Sequence, residues 1–403
     1  MRVVHVNYDG TKIGGASIAM FRTIEAQRWA GIDAVVACRC LPKEESTYQY
    51  TPSLFCRGVE FLSKVAMKLA YRRCYSTGLI NNGMADFVNS LRPDIVQLNW
   101  IQANTIGIRE LKKIKCPIVW FTHDLWPMSG INPFYESDWF KYDCPKAATL
   151  VDRLAWRTKC NVVQRLKDTL FVVSPSNWAS KMASESKVFA GVKTMCIHYP
   201  ISETFEKACA KLKHKTRETV NSSKFVILFG ATTGISLPIK GWDRLMAAID
   251  LLTDSEREKI SIKVFGCMQP SQKIHGVGVE FLGRLPPDQL VNVYRCADLF
   301  AFPSRSETWG QVKVEAMCCG TPVIAFRQTA CADGISHMKN GWIAPEDDIE
   351  SFADGIKWFM QQKEENGVVP CEGDAIREYG ARTIGNKWKQ FYEDILIARG
   401  AKI

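Results

Sequence analysis

The chain reads as an α/β protein made of two doubly wound parallel-sheet domains, closed by a C-terminal helix. Three observations carry that expectation. Short apolar strands rich in Val, Ile and Phe alternate with helical stretches along its length, as repeated βα units do. The pattern runs twice, and a charged, weakly patterned stretch from Glu203 to Ser223 stands between the runs as an interdomain linker region. The segment from Asp298 to Phe326 then shows the unit most clearly: Leu-Phe-Ala-Phe, a polar turn from Pro303 to Gly310, a short helix with apolar Val312, Ala316 and Cys319, and Thr-Pro-Val-Ile-Ala-Phe. Gly320 falls at the helix C′ position and Pro322 prevents continuation. The expected division is 1–200, 201–380 and a final helix over 381–403.

Composition bounds the function. The chain has 403 residues, 46% hydrophobic and 23% charged, which suits a globular protein of two or three domains. Its 52 basic and 42 acidic residues give a formal charge of +10, favouring acidic ligands or an anionic membrane surface. No zinc-finger, RRM or KH pattern appears, so nucleic acid is not expected as a partner. The 15 cysteines include no Cys-x-x-Cys pair, which argues against zinc sites and disulfide scaffolds and for reduced thiols in the cytoplasm. Met1 leads straight into a strand with no signal peptide, and no apolar run approaches a membrane span.

In order, Val3–Val6 is a first strand, followed by a loop with Gly14 and Gly15, a helix through Ile18, Phe21, Ile24 and Trp29, and a strand from Ala34 to Cys38. The Gly-x-Gly-x-x-Gly fingerprint is absent. Gly14 and Gly15 read equally as a flexible turn or as a place where backbone approaches a ligand. Over residues 53–74, Phe55, Val59, Leu62, Val65, Ala66 and Leu69 keep helical spacing among Arg57, Lys64, Lys68, Arg72 and Arg73. Such a basic amphipathic helix can lie on anionic lipid, although packing on a core with a solvated face is the commoner outcome. Strands at Ile95–Leu98 and Cys116–Thr122 deliver Asn99, Trp100, His123 and Asp124 to the C-terminal edge of the sheet, where open α/β sheets bind ligands. The loop from Met128 to Lys146 carries Phe134, Tyr135, Trp139, Phe140 and Tyr142, which suit either sugar rings or a small satellite core. Residues 151–167 form a basic helix, and Leu170–Val173 a further strand.

The second run opens with Phe225–Phe229. Lys240 then precedes a helix and can meet a phosphate as a point charge or simply face solvent. Strands follow at Ser261–Phe265 and Val279–Gly283, a short helix at Leu290–Cys296, and a C-terminal helix with Ile384, Trp388, Phe391, Tyr392 and Ile395 as its apolar stripe. In the turn of the 298–326 unit, a helix starting near Gly310 points free N–H groups and its positive dipole end at Ser304–Gly310, an anion site suited to phosphate. Glu307 and Glu315 accept hydrogen bonds and so suit a ligand rich in hydroxyls. Spacing alone favours a plainer reading, with Glu307 as a cap and Glu315 as a solvated face residue.

Pro303-Ser304-x-x-Glu307-x-x-Gly310-x-x-x-x-Glu315-Ala316-Met317, with Gly320-Thr-Pro-Val-Ile after it, resembles the E-x7-E signature of family 4 retaining glycosyltransferases. The run Val-Trp-Phe-Thr-His-Asp-Leu-Trp-Pro around His123 resembles a block of a subgroup that builds bacterial surface polysaccharides and lipopolysaccharide. The resemblance implies the GT-B fold, two Rossmann-like domains facing a cleft with the last helix crossing back to the first. It implies transfer of a hexose from a UDP- or GDP-sugar to a saccharide or lipid-linked saccharide, with retention of anomeric configuration and without a metal or other cofactor. His123, Lys240 and Glu307 are then the catalytic set, with His123 on the donor sugar and Lys240 on the diphosphate. Gly14, Gly15, Arg284, Leu285, Arg305, Trp309, Gly310, Gln311 and Glu315 are the donor-binding set. Within it, the turn at Arg284 and Leu285 reads the base, the Trp309–Gly310 backbone holds sugar hydroxyls, and Glu315 takes the ribose. Asp124 orients its loop or His123. The chain departs from the family in two places. Tyr199 stands where an asparagine is usual, and the usual diphosphate arginine is missing from the turn Gly-Ala-Thr-Thr-Gly at 230–234, so Arg305 or Arg284 is the candidate replacement. The reduced thiols place the chain in the cytoplasm, and a lipid-linked acceptor, common in the resembling family, favours the option of peripheral attachment to the inner face of the cytoplasmic membrane through 53–74. The alternatives are a GT-B-like epimerase or phosphorylase, or a non-catalytic sugar-nucleotide-binding protein.

Overall fold

A computed structural model of the chain describes residues 1–12, 14–40, 42, 44–71, 76–132, 149–213, 224–231, 234–367, 371 and 375–400. The chain divides into two compact units, Met1–Pro200 together with Ala381–Ile403, and Ile201–Gly380.

The first unit holds the strands Arg2–Asp9 (β1), Asp33–Cys40 (β2), Thr47–Gln49 (β3), Ile95–Leu98 (β4), Ile118–Phe121 (β5), Leu170–Ser174 (β6) and Lys193–Cys196 (β7). They form one sheet in the order β3-β2-β1-β4-β5-β6-β7, every neighbouring pair parallel. The inner strands are buried on both faces, as parallel sheets require, so Val3, Val4 and Val6 are buried together with the polar His5 and Asn7. Chain order reverses between β1 and β4, which makes that point of the C-terminal edge the crevice of the sheet. The closing helix, Ala381–Ile397, belongs to this unit. Its stripe of Ile384, Trp388, Phe391, Tyr392 and Ile395 is buried. It packs on the helix Gly15–Trp29 so closely that a Cβ on Gly385 would stand 2.2 Å from the carbonyl oxygen of Ala26.

The second unit holds Phe225–Gly230 (β8), Ile260–Phe265 (β9), Gln272–Ile274 (β10), Val277–Gly283 (β11), Leu299–Phe302 (β12), Val323–Phe326 (β13) and Gly341–Ala344 (β14), in the order β10-β11-β9-β8-β12-β13-β14. The expected parallel sheet is observed with one exception, since β10 pairs antiparallel with β11. The two-residue turn between them, His275-Gly276, has positive φ at both positions (50° and 83°), the twist that a tight hairpin needs. Here the order reverses between β8 and β12.

Two expectations need correction. The stretch from Glu203 is not linker at its start, because Glu203–Lys213 is a helix of the second unit. Phe205 and Cys209, four residues apart, are buried, and Phe205 meets Tyr294 edge-on at 6.2 Å. The charged outer face hid this two-residue apolar stripe. Residues 214–223 lie outside the described residues. The helix Leu54–Tyr71 does not take the commoner, core-packed course for its apolar stripe: Phe55, Val59, Leu62, Val65 and Leu69 are exposed, and Glu60 and Met67 face inward. Arg72 and Arg73, and the aromatic residues from Phe134 to Tyr142, lie outside the described residues.

Candidate functional site

Two groups of side chains gather at the two strand-order reversals. In the second unit, β8 leads to the short 3-10 turn Pro238–Lys240, and β12 leads through Pro303–Gly310 into the helix Gln311–Cys318. The two segments are locked together. Arg305 N–H donates to the carbonyl of Ile239 at 2.9 Å, and Gly241, at φ 73°, passes so near that a Cβ there would lie 2.0 Å from the Pro303 carbonyl oxygen. This brings Lys240 Nζ to 2.6 Å from Glu307 Oε1. Burial pulls the Lys240 ammonium down, but the Glu307 carboxylate outweighs it and holds the lysine above its ordinary value. The Glu307 backbone is fixed from the far side, where its N–H donates to Thr329 Oγ1 at 3.0 Å and its carbonyl accepts from Ala330 N–H at 3.2 Å.

Gly310 caps the following helix at φ 83°, with the Phe302 ring 2.5 Å from where a Cβ would be, so no side chain fits at this position; its carbonyl accepts from Lys313 N–H at 3.1 Å. Trp309 is buried edge-on against Tyr379. Glu315, one turn into the helix, is buried rather than solvated, and Tyr294 Oη donates to it at 3.3 Å. Arg305 sends its guanidinium to Asp243 in a bidentate pair, with a further bond to the Pro238 carbonyl at 2.6 Å. Gln311 is half-buried on the first turn. Arg284 is exposed and Leu285 half-buried beyond Gly283, whose N–H and carbonyl bond the backbone of Cys267 and Gly266 after β9.

The sequence reading missed Lys313. It sits fully buried in the helix Gln311–Cys318, donating to the carbonyls of Ala330 (2.8 Å), Cys331 (3.2 Å) and Asp333 (2.7 Å). It therefore holds the same loop that holds Glu307. Burial lowers its ammonium to about 8. The available signal was its setting: a lysine inside a helix whose Val314, Ala316 and Met317 neighbours are all apolar.

In the first unit, Gly14 (φ 84°) and Gly15 stand exposed at the start of the helix Gly15–Trp29, and a Cβ on either would meet no protein atom within 4 Å. Asn7, buried at the end of β1, ties this corner together by bonding Ser17 Oγ (3.1 Å) and accepting from Trp100 N–H (3.0 Å). His123 follows β5 and has both ring nitrogens engaged. Nε2 donates to Asn99 Oδ1 at 3.2 Å, and Nδ1 accepts from Tyr199 Oη at 2.8 Å, with the two rings stacked at an interplanar angle of 16°. Asn99 Nδ2 donates to His5 Nδ1 (3.3 Å), and His5 Nε2 to Gln27 Oε1 (2.8 Å). Gln27 and Gln97 both meet Tyr392 from the C-terminal helix. A continuous buried polar chain thus runs from the closing helix to His123. Burial lowers His5 to about 4 and His123 to about 3, so both imidazoles are neutral at physiological pH.

Asp124 orients its loop. Its carboxylate accepts from Trp126 N–H (3.0 Å), Trp100 Nε1 (3.2 Å) and Gln102 Nε2, and burial raises it to about 6. A second buried lysine, Lys159, performs for this loop what Lys313 does in the other unit, donating to the carbonyls of Trp126 (2.6 Å), Ser129 (3.0 Å) and Gly130 (2.8 Å). Tyr199, noted in the sequence only as a departure, caps His123 Nδ1, while Asn99 Oδ1, which can only accept, sets the tautomer by taking the Nε2 proton.

Among the described residues no group of three or more His, Cys, Asp or Glu side chains could hold a metal ion, and no helix is long and apolar enough to cross a membrane.

Residues 212–368 match the Glycosyl transferases group 1 family. A stretch of 86 residues, 20% of this chain and 19% of the relative, is 51% identical to a D-inositol 3-phosphate glycosyltransferase of Mycolicibacterium smegmatis. The curated relatives it resembles are matched over 18% to 35% of their own length. Among solved structures, Anabaena HepE in complex with UDP-glucose superposes with a TM-score of 0.63 over 98% of this chain and 100% of that one, at 16% identity. Sucrose-phosphate synthase from Thermosynechococcus elongatus does so with a TM-score of 0.66 over 98% and 99%, at 17% identity.

Proposed function

Taking as premise that the chain has the GT-B fold and a glycosyl transferases group 1 region in its second unit, we propose that it is a retaining glycosyltransferase. It moves a hexose from a UDP- or GDP-sugar to a saccharide or lipid-linked saccharide in the building of cell-surface polysaccharide. The observation that carries the reading is the meeting of Lys240 and Glu307 at 2.6 Å beside the capped start of the helix Gln311–Cys318. A cation, a hydrogen-bond acceptor and the positive end of a helix dipole then occupy one corner, the chemistry that a sugar diphosphate asks for. Lys240 and the helix end stabilise the charge that develops on the departing diphosphate, with no need of a metal. Glu307, released from Lys240 as the diphosphate arrives, takes sugar hydroxyls, and buried Glu315 takes the ribose. The UDP-glucose held by the HepE neighbour supports this donor class.

Arg305 serves the site by holding the Pro238–Lys240 turn, given its bonds to Asp243 and the Pro238 carbonyl. Any part for His123 in the reaction requires it to give up its bond to Asn99 or to Tyr199, since both ring nitrogens are engaged.

The test is a thermal-shift screen against UDP, GDP, ADP, CMP and NAD, with and without Mg²⁺. A metal-independent rise with one diphosphate, lost in Lys240→Ala and Glu315→Ala, supports the reading and names the base. Equal responses in wild type and both variants sink the site.

A further inference from the structure

We propose that the outward face of the helix Leu54–Tyr71 is a docking surface for an anionic lipid bilayer. Five of its large apolar side chains, Leu54 (81% exposed), Phe55 (81%), Phe61 (65%), Leu62 (67%) and Leu69 (80%), stand in water. At 100° per residue they and Val65 fall on one arc, so the stripe that normally faces a core faces solvent instead. Exposed apolar area so concentrated marks an interaction site.

The orientation is fixed by the other face. Glu60 is buried in an ion pair with Arg39 at 2.9 Å, both side chains about a tenth exposed or less, and Met67 packs against Ile131 and Ala155. The helix cannot roll its apolar arc inward without unburying that pair. The surface extends onto the neighbouring helix Leu150–Leu166, which meets Met67 through Ala155 and presents exposed Leu150 (84%), Leu154 (50%) and Arg157.

Charge selects the occupant. Arg57, Lys64 and Lys68 lie together along one edge of the arc, and the only acid of the helix, Glu60, points inward and is already neutralised. The face is therefore apolar with a purely basic border, which matches the boundary between acyl chains and anionic headgroups. A second copy is a poor occupant, because an isologous contact would set Arg57, Lys64 and Lys68 against themselves. A single convex helix also suits a flat interface better than a peptide would. Arg39 lies near the C-terminal end of β2, so the anchored side of the helix sits at the sheet edge that also carries Gly14 and Asn99.

The test is co-sedimentation of the full chain with vesicles of phosphatidylcholine alone and of phosphatidylcholine with phosphatidylglycerol, with no sugar nucleotide present. Binding to the anionic vesicles, weakening with salt and absent from the neutral ones, is expected. Lys64→Gln and Lys68→Gln each weaken it roughly fivefold. Phe55→Ser with Leu62→Ser abolishes it while leaving the melting temperature unchanged, because both side chains are exposed. Failure to bind anionic vesicles overturns the proposal, as does binding unaffected by these variants. So does a dimer in light scattering that the Phe55/Leu62 variant dissolves, or a protein partner that displaces the vesicles. Since the readout needs no sugar transfer, it stands or falls apart from the transferase reading.

Discussion

Lys240 Nζ and Glu307 Oε1 lie 2.6 Å apart although 67 residues separate them in sequence, and each is carried by the segment leaving a different strand beside the reversal in the second sheet. The two side chains are 29% and 17% exposed, so the pair is poorly hydrated without being sealed. Lys240→Met strands the carboxylate and is expected to cost on the order of 1–2 kcal/mol in urea unfolding. Adding Glu307→Gln should recover part of that loss. Because the lysine is held above its ordinary value, its contribution is complete at neutral pH and is lost only as pH climbs through that raised value. Nucleoside diphosphate affinity in Lys240→Met should fall roughly tenfold or more by calorimetry.

Gly241→Ala separates position from charge. The left-handed φ of 73° and the Pro303 carbonyl oxygen 2.0 Å from the new Cβ both oppose it. A loss of about 2 kcal/mol or more is expected from backbone strain and displacement. Diphosphate binding should weaken although Lys240 is intact.

Gly15→Ala has the opposite profile. No protein atom lies within 4 Å of the new methyl, so stability should stay within about 0.5 kcal/mol of wild type. If a ligand approaches this backbone, turnover or acceptor affinity falls. Unchanged kinetics would leave the two glycines as a turn only.

The pH dependence of stability follows from three groups in the first unit, His5 buried and His123 and Asp124 half-buried. His5 and His123 titrate at about 4 and about 3 when folded, below the 6.5 of a free imidazole. The unfolded chain therefore binds more protons below 6.5, and stability falls as pH drops from there toward 4. Asp124, raised to about 6, acts oppositely, gaining stability over the same fall in pH. Two protons against one leave a net slope of about 1.4 kcal/mol per pH unit between 6 and 4 from these groups. In His5→Gln the slope from these groups should flatten, as read by denaturant unfolding across that window.

Lys313→Met removes the ammonium that gathers the carbonyls of Ala330, Cys331 and Asp333. A loss of about 2–3 kcal/mol and a weaker hold on Glu307 are expected. Its folded value near 8 means that wild-type stability rises with pH between 8 and 10.5, since the unfolded lysine still binds its proton there. The variant should lack that rise.

How far the sequence reading reached depends on whether the cause was local. The strand–turn–helix–strand unit around Glu307 was legible because capping and stopping are local: Gly310 and Gly320 both take positive φ where the helix starts and ends. The stripe of the closing helix was legible by its period. Lys159 and Lys313 were not, because a lysine in a helix looks the same whether it meets water or carbonyls that the fold brings in from 29 to 33 residues away in one case and 17 to 20 in the other. The Glu203–Lys213 helix was lost behind its charges. In Leu54–Tyr71 the period was read correctly but not its direction, since the inward side is chosen by Arg39 on a distant strand.

The closing helix also sets the order in which the molecule can be finished during synthesis. Tyr392 completes the buried chain through Gln27 and Gln97 that reaches His123, and Gly385 lets its helix press against Ala26. Gln97 and Gln27 precede Tyr392 by 295 and 365 residues, and Ile201–Gly380 emerges complete in the interval, its two ends already joined by the Ile201 N–H to Tyr379 carbonyl bond at 2.9 Å. The half of the protein that is translated first is thus the half that matures last. A chain ending at residue 380 would carry a closed second unit and an open first one, with Gln27 and Gln97 lacking Tyr392 as a polar seam for chaperones to find.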